Sequence, residues 1–313
     1  MTEQFAPISV VIPLYNKGPY VRAALESIKA QTMQPAEIVV VDDGSADEGP
    51  EIVRSWGSGV RLLNTGTARS GPSRARNVGI EAATSEYVAF LDADDLWHIR
   101  YLELAMDAMK RFPGANGVFT DRRKFIKSLP STAVALPDVI PMKELDFGDF
   151  LDKWVSTKSC PVKTSSCIFR KSTLIEVGMF DEHYRRGEDK DAFFRLLRSG
   201  SAVHIPLVLG FQRLGVPGQE TRSIPSDMPP VVYSAEKALG NCAEAKHKRR
   251  LDLLINQEIW HYVKINRSRK PFPSLYVQKF RRPLNPLKFI IVAAVHALTL
   301  VRHRNTQTEG TSR

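Results

Sequence analysis

The chain has 313 residues, 43% hydrophobic and 25% charged, a composition that excludes a disordered or fibrous protein and suits a large α/β domain with an appendage. Its 3 cysteines, Cys160, Cys167 and Cys242, form neither a metal-ligand pattern nor a disulfide framework, which fits a reducing compartment. The net charge of +10 is gathered at one end: residues 240–313 carry 15 Lys and Arg against 4 Asp and Glu, and residues 1–239 carry 29 against 30.

Ile8–Pro13 is a short β-branched run and predicts the first strand, with a turn over Tyr15–Gly18 and a helix from Pro19. Val21, Ala24, Leu25 and Ile28 give that helix one apolar face. Ile38–Val41 predicts a second buried strand ending in Asp42, Asp43, Gly44 and Ser45, with Ser45 the expected N-cap of a helix running to Trp56. Val60–Leu63 predicts a third strand, and Gly71–Asn77 opens a helix to Ala83. Successive strand–helix units with short connections predict a doubly wound parallel sheet whose carboxyl edge collects these polar strand ends.

Tyr87–Leu91 is an apolar strand that stops abruptly in Asp92, Asp94 and Asp95. Three carboxylates at one strand end repel each other unless a cation lies among them. They predict a site for Mg2+ or Mn2+, hard ions that take oxygen ligands and share them with phosphate. A solvated acidic turn capping the next helix is the alternative.

His98–Phe112 then predicts a helix with Leu102, Ala105, Met106 and Met109 inward, and Gly117–Thr120 a strand. Residues 123–163, interrupted by Pro130, Pro137, Pro141 and Pro161, predict a mobile, cleft-shaping segment with one short helix around Phe147–Trp154. Ser165–Arg170 predicts a strand, followed by a short helix to Val177. Glu188, Asp189 and Asp191 head a helix over Ala192–Leu197, where acidic residues suit a helix N-terminus in any case. Ala202–Leu209 predicts the last strand of this domain.

Helical patterns take over from about Met228, over Val231–Asn241 and Leu251–Ile265. Residues 1–228 are therefore expected as the α/β domain and 229–313 as a basic helical extension. Phe289–Val301 is uncharged over 13 residues, between Lys288 and Arg302–Arg304. A helix of that length spans about 20 Å, short of the ~30 Å hydrocarbon core of a bilayer. Two expectations stay open for it: lying on an anionic membrane surface through residues 264–304, or packing on the domain. The tail lacks interleaved aromatic–basic repeats, which disfavours nucleic acid as a partner. The N-terminus shows no basic stretch before an apolar run, so no signal peptide is expected. The expected location is cytoplasmic, peripheral at the inner face of the cell membrane if the tail docks there.

The series Val-Ile-Pro-Leu-Tyr-Asn (11–16), Ile-Val-Val-Val-Asp-Asp-Gly-Ser (38–45), Ala-Arg-Asn-Val-Gly (75–79), Phe-Leu-Asp-Ala-Asp-Asp (90–95), Gly-Met-Phe-Asp-Glu (178–182) and Gly-Glu-Asp (187–189) resembles the family 2 inverting glycosyltransferases with the GT-A fold. The resemblance covers roughly residues 7–215 and thins across 123–163. It implies transfer of a sugar from a nucleotide diphosphate donor, most often linked to uridine diphosphate, to the hydroxyl of a saccharide or lipid-linked acceptor. Cell-surface polysaccharide, lipopolysaccharide or glycolipid synthesis would be the setting. Pro13 and Tyr15 would then line the base pocket, Asp43 would bond the uracil, and Arg76, Asp92 and Ala93 would lie on the nucleotide-sugar side. Asp94, with Asp92 or Asp95, would hold Mn2+ or Mg2+ on the diphosphate. Asp189 would be the general base, with Glu188 in support.

The chemistry asks for such groups independently of the resemblance. Breaking a sugar–phosphate bond builds charge on the leaving diphosphate, which a divalent ion and an arginine stabilise. A carboxylate on the opposite face takes the acceptor's proton. Processive members of the family that the chain resembles carry a Gln-x-x-Arg-Trp motif, which neither Phe211–Leu214 nor any later segment reproduces, so the resemblance implies a single-addition enzyme rather than a processive synthase. Two alternatives remain: a haloacid-dehalogenase-like phosphatase with Asp92 as nucleophile, and a non-enzymatic binder acting through the basic tail. The first lacks the Thr or Val expected shortly after the second Asp and leaves the motifs of residues 11–45 unexplained.

Overall fold

The computed structural model describes residues 5–57, 59–217 and 228–266. The chain divides into two compact units, residues 1–150 with 160–222, and residues 151–159 with 223–313.

In the first unit β1 (Ala6–Leu14), β2 (Pro35–Asp42), β3 (Val60–Asn64) and β4 (Tyr87–Phe90) are parallel and run in the order β3-β2-β1-β4. Helices α1 (Gly18–Lys29), α2 (Gly49–Arg54) and α3 (Pro72–Ala82) connect them. Val10, Ile12, Leu14 and Val40 are fully covered, as expected of β-branched runs in a sheet with helices on both faces. The predicted apolar face of α1 is the buried one: Val21, Ala24, Leu25 and Ile28. Gly79 lets α3 press on β1, since a Cβ there would stand 2.3 Å from Val11 Cγ1.

Beyond β4 the sheet becomes mixed, which corrects the expectation of a uniformly parallel sheet. β5 (Leu96–Trp97) and α4 (Tyr101–Arg111) follow β4 in the chain, then β6 (Gly117–Phe125) and β7 (Lys143–Leu145). Past α5 (Phe147–Thr157) come β8 (Cys167–Arg170), α6 (Lys171–Glu176), α7 (Glu188–Ser199) and β9 (Ala202–Arg213). β8 lies antiparallel between β4 and β6, β9 runs parallel to β6, and β5 and β7 pair antiparallel with β9. A two-residue strand has no readable period, so β5 escapes sequence analysis.

Two further expectations change. Ser45 does not cap a helix: its hydroxyl accepts from Asn16 N (3.0 Å), and α2 starts four residues later at Gly49. Ser165 and Ser166 belong to a 3-10 turn over Thr164–Ser166, and the strand starts at Cys167. Within 123–163 the backbone is tied by Ile99 N to Thr132 O (2.9 Å) and by His98 Nε2 to Val134 O (2.8 Å).

The second unit contains α8 (Pro230–Gly240) and α9 (Ala245–Asn266), packed on each other. α9 buries Leu251, Leu254, Ile255, Ile259 and Tyr262 along one face. Within this unit Arg250 grips Asp152 with two nitrogens, and Trp154 Nε1 donates to Glu258 Oε1 (3.0 Å). Phe289–Val301, and all of the tail from residue 267, lie outside the described residues. No described helix is long and apolar enough to cross a membrane.

Candidate active site

The strand order turns back between β1 and β4, and in sheets of this kind ligands bind outside the carboxyl ends of the strands at that point. At the β2 end, Asp42 accepts from Ser45 N (3.0 Å) and shapes the turn. Asp43 is buried and accepts from Thr65 Oγ1 (2.8 Å), Ser70 N (2.8 Å) and Gly71 N (2.7 Å). It folds loop 65–71 back on the sheet and holds Gly71, the N-cap of α3, whose φ of 99° favours glycine. Arg69 then lies over the Tyr15 ring, 5.9 Å from its centroid, and Pro13 is half-buried on β1.

At the β4 end the chain makes a tight turn, with Asp95 N donating to Asp92 O (2.9 Å), before β5 begins. Asp95 is buried; its Oδ1 accepts from Arg213 N (2.9 Å), and Ser165 bonds it as well. Burial first, then the charges of Asp92 and Asp94, hold its carboxyl well above the ordinary range. Asp94 Oδ2 is 3.7 Å from Lys17 Nζ, and its carbonyl accepts from Arg213 Nε (3.2 Å). Ala93 is buried between them. Asp92 is the most exposed of the three, its side chain 29% accessible. Its backbone N donates to Ser165 Oγ (3.1 Å), and its Oδ2 accepts from Thr164 Oγ1 (3.3 Å).

Arg76 joins this edge to the head of α7. Its side chain is 6% exposed; one terminal nitrogen lies 2.9 Å from Asp92 Oδ1 and the other 3.1 Å from Glu188 Oε1. Burial works against its charge, yet Asp92 and Glu188 outweigh burial and raise its pKa. The Phe180 ring packs on the guanidinium at 5.4 Å. Glu188 is pushed up to about 7, by burial and by neighbouring Asp189, against the pull of Arg76. Asp189 is half-buried, and its Oδ1 accepts from Lys190 N (2.8 Å). Asn77 fixes the approach to α7: it donates to Phe180 O (2.8 Å) and Glu182 Oε1 (2.8 Å) and accepts from Phe180 N (3.0 Å). The Ala-Arg-Asn and Gly-Met-Phe-Asp-Glu motifs, about 100 residues apart, thus close on each other.

A family model described as glycosyl transferase family 2 matches residues 9–175, just over half of the chain. The chain belongs to glycosyl transferase family 2. Among curated relatives of the family, the amylovoran biosynthesis glycosyltransferase AmsB of Erwinia amylovora is 31% identical over 199 residues, 61% of this chain and 64% of that protein. The chain spans under a third of the first curated relatives it matches, 29% of a Rickettsia felis glycosyltransferase and 25% of one from Rickettsia bellii. The solved structure of S. aureus TarS 1-349 in complex with UDP-GlcNAc superposes with a TM-score of 0.69 at 18% identity, covering 88% of this chain and 81% of that one. The mannosyltransferase PcManGT from Pyrobaculum calidifontis, in complex with GDP-Man and Mn2+, gives 0.58 at 20% identity, covering 98% and 84%. The fold is therefore GT-A. Family membership leaves the dehalogenase-like reading without support.

Of the residues singled out in the sequence, Asp92, Asp94, Asp95, Arg76, Glu188 and Asp189 come together as one charged group. Pro13, Tyr15 and Asp43 belong to the β1 and β2 ends. Asp191 instead bonds Arg195 Nε (2.8 Å) one turn on, and His204 stacks on Phe119 at 4.8 Å, so both serve the frame. Lys17, Thr164, Ser165 and Arg213 have no individual role in the sequence pattern, because each is a single polar residue without spacing. Among the described residues no three His, Cys, Asp or Glu converge as a cation cage. Mg2+ and Mn2+ do not need one, because they bind through one or two carboxylates with substrate phosphates and water. A single carboxylate such as Asp94, beside the more exposed Asp92, fits that donor set; buried Asp95, engaged with Arg213 N, fits it less well.

Proposed function

We propose that this chain is an inverting glycosyltransferase that moves a sugar from a uridine diphosphate donor to an acceptor hydroxyl in cell-envelope polysaccharide or glycolipid synthesis. The observation that carries the reading is the Arg76 bridge between Asp92 and Glu188, which ties a diphosphate edge to the helix that carries Asp189. Names among the relatives support the class: AmsB is named for amylovoran biosynthesis, and the TarS complex contains UDP-GlcNAc.

In this reading Pro13 and Tyr15 wall the base pocket. Asp43 offers its remaining acceptor capacity to the uracil, since a carboxylate has about four lone-pair sites and three are taken. Lys17 and Arg76 supply positive charge near the leaving diphosphate. Asp94 with Asp92 would hold Mn2+ or Mg2+, which would supply Lewis-acid stabilisation of the same charge. Asp189 takes the acceptor's proton as the hydroxyl attacks, and one displacement gives inversion. Glu188 positions the head of α7 through Arg76. The basic region over residues 264–304 docks on anionic headgroups of the cytoplasmic membrane surface.

A donor panel tests the reading: free nucleotide released from uridine, guanosine and thymidine diphosphate sugars by the purified full chain, with and without EDTA. Release from a uridine donor that EDTA abolishes is the expected result. No binding or turnover of any nucleotide sugar overturns the function, and EDTA-insensitive turnover overturns the metal.

A further inference from the structure

Large apolar side chains stand in water along one short segment of the first unit. Ile126 is 64% exposed, Leu129 59%, Val134 47% and Val139 83%. The other exposed large apolar side chains among the described residues, Phe5, Ile175, Val208 and Tyr233, are scattered singly along the chain, as is ordinary on protein surfaces. The segment is not a loose chain. Leu214 N donates to Phe125 O (2.8 Å) where β6 ends, Ile99 N holds Thr132 O, and His98 Nε2 holds Val134 O. Leu136, Ile140 and Met142 pack against the core. The apolar residues of one stretch thus divide into an inward set and an outward set, and a tied backbone presents the outward set to solvent.

The stretch starts, and is fastened, at the edge that carries the three aspartates. Phe125 lies under Arg213, whose guanidinium is 4.6 Å from the ring centroid and whose N donates to Asp95 Oδ1 (2.9 Å). His98 and Ile99 directly follow β5, which itself follows Asp95. Apolar groups gain free energy on leaving water, and exposed clusters of them with a polar rim mark contact surfaces. The charge beside them names the contact. Residues 122–142 contain Arg122, Arg123, Lys124 and Lys127, with Asp138 as their one acid. Arg123, Lys124 and Lys127 are exposed, and Asp121, just before them, is engaged by His204 Nε2 (2.9 Å). Apolar tips beside basic residues match a bilayer surface, with anionic headgroups outside and hydrocarbon beneath. The chain's own tail fits less well, because residues 240–313 carry an excess of the same positive sign.

We propose that residues 123–139 form a membrane-docking surface, with Ile126, Leu129, Val134 and Val139 entering an anionic bilayer and Arg123, Lys124 and Lys127 on its headgroups. This surface is separate from the basic region over residues 264–304. Docking through it holds the Asp92–Asp95 edge close to the lipid–water boundary, where a lipid-linked acceptor presents its hydroxyl. The docking stands without the glycosyltransferase reading; the consequence for the acceptor rests on that reading.

The test floats the full chain with vesicles of phosphatidylcholine and phosphatidylglycerol in equal parts, and with phosphatidylcholine alone. Binding to the mixed vesicles is expected. Ile126→Ser with Leu129→Ser in one chain should weaken it about 10-fold or more, and so should Lys124→Gln with Lys127→Gln. Lys124→Arg with Lys127→Arg should retain it. All these positions are exposed, and circular dichroism melts verify that each variant folds. A direct readout separates this surface from docking by the tail. Leu129→Trp and Val139→Trp, on vesicles with brominated acyl chains, should each add quenched fluorescence beyond that of the native tryptophans. Vesicle binding that ignores the Ser variants, no binding to either vesicle, or no added quenching overturns the surface. A chain that docks as expected and turns over no nucleotide sugar leaves the surface standing and overturns the glycosyltransferase reading instead.

Discussion

Glu37 on β2 and Glu188 at the head of α7 each face an arginine, and they titrate in opposite directions. Burial alone would raise Glu37, but Thr84 and Ser9 donate to its Oε1 and Arg61 to its Oε2, holding it at about 2. Glu188 has Arg76, which it shares with Asp92, and it is buried beside Asp189; burial and that charge carry it to about 7. An arginine within reach therefore does not set the sign. What decides is the count of donors against the degree of burial and the like charges nearby. The β2 side uses carboxylates to fasten the backbone, as Asp42, Asp43 and Glu37 all do through amides and hydroxyls. The α7 side keeps carboxylates crowded and sparsely bonded, the usual condition of groups that must act on a ligand.

The largest effect that would sharpen this contrast is on rate. Asp189→Asn should lose about 10²- to 10⁴-fold in sugar transfer, the usual contribution of a general base, with UDP affinity unchanged. Glu37→Gln should leave the rate within about 2-fold, since the side chain bonds Ser9, Thr84 and Arg61 and none of the candidate site residues. Near-normal transfer by Asp189→Asn sinks the assignment of the base.

Next comes the bridge. Arg76→Met strands Asp92 and Glu188, and removing one partner of a buried pair destabilises by about 3–5 kcal/mol. The neutral Glu188→Gln in the same chain should recover part of that loss, and urea denaturation of both variants measures it. A double variant no more stable than Arg76→Met means that Glu188 does not feel the bridge.

The β2 side was legible because each of its parts is local. An apolar run, a polar turn and an amphipathic helix follow in order, so β1, α1, β2, β3, α3 and β4 stand close to where the residue pattern puts them. The α7 side is assembled across the chain: Arg76 meets Glu188 112 positions away, and Asp95 meets Arg213 118 positions away. Periodicity carries no information on such pairs. The strand that ends in three carboxylates singles out Asp92, Asp94 and Asp95 by itself, whereas the role expected of Asp189 comes from the family resemblance, and Arg76 is expected near the nucleotide without its bridge to Glu188. Ser45 misled for a related reason: its hydroxyl serves Asn16 on a neighbouring turn rather than the helix after it.

A pH titration separates the two glutamates further. Glu188 is raised in the folded protein from 4.5 to about 7, so its contribution is fully present below pH 4.5 and is lost as pH rises through 7. At one pKa unit per 1.36 kcal/mol this is up to about 3 kcal/mol. The difference in stability between wild type and Glu188→Gln, followed by urea denaturation from pH 4 to 8, should change by that order. A flat difference shows that Asp189 and Arg76 cancel.

Glu37 gives the smallest effect and the opposite slope. Its pKa is lowered from 4.5 to about 2, so its stabilisation is present above pH 4.5 and is lost as pH falls through 2. Solvent screens a group this close to the surface, so about 1 kcal/mol or less is expected. Wild type minus Glu37→Gln should therefore shrink between pH 4.5 and 2, while the Glu188 difference is constant over that range. If both differences move together on acidification, the two glutamates share one environment and the contrast between the β2 and α7 sides fails. If only Glu37 responds, the donors on Ser9, Thr84 and Arg61 act as a staple between β1, β2, β3 and the loop after α3. That staple holds the strands whose ends carry Pro13 and Asp43, and it does so without entering the chemistry.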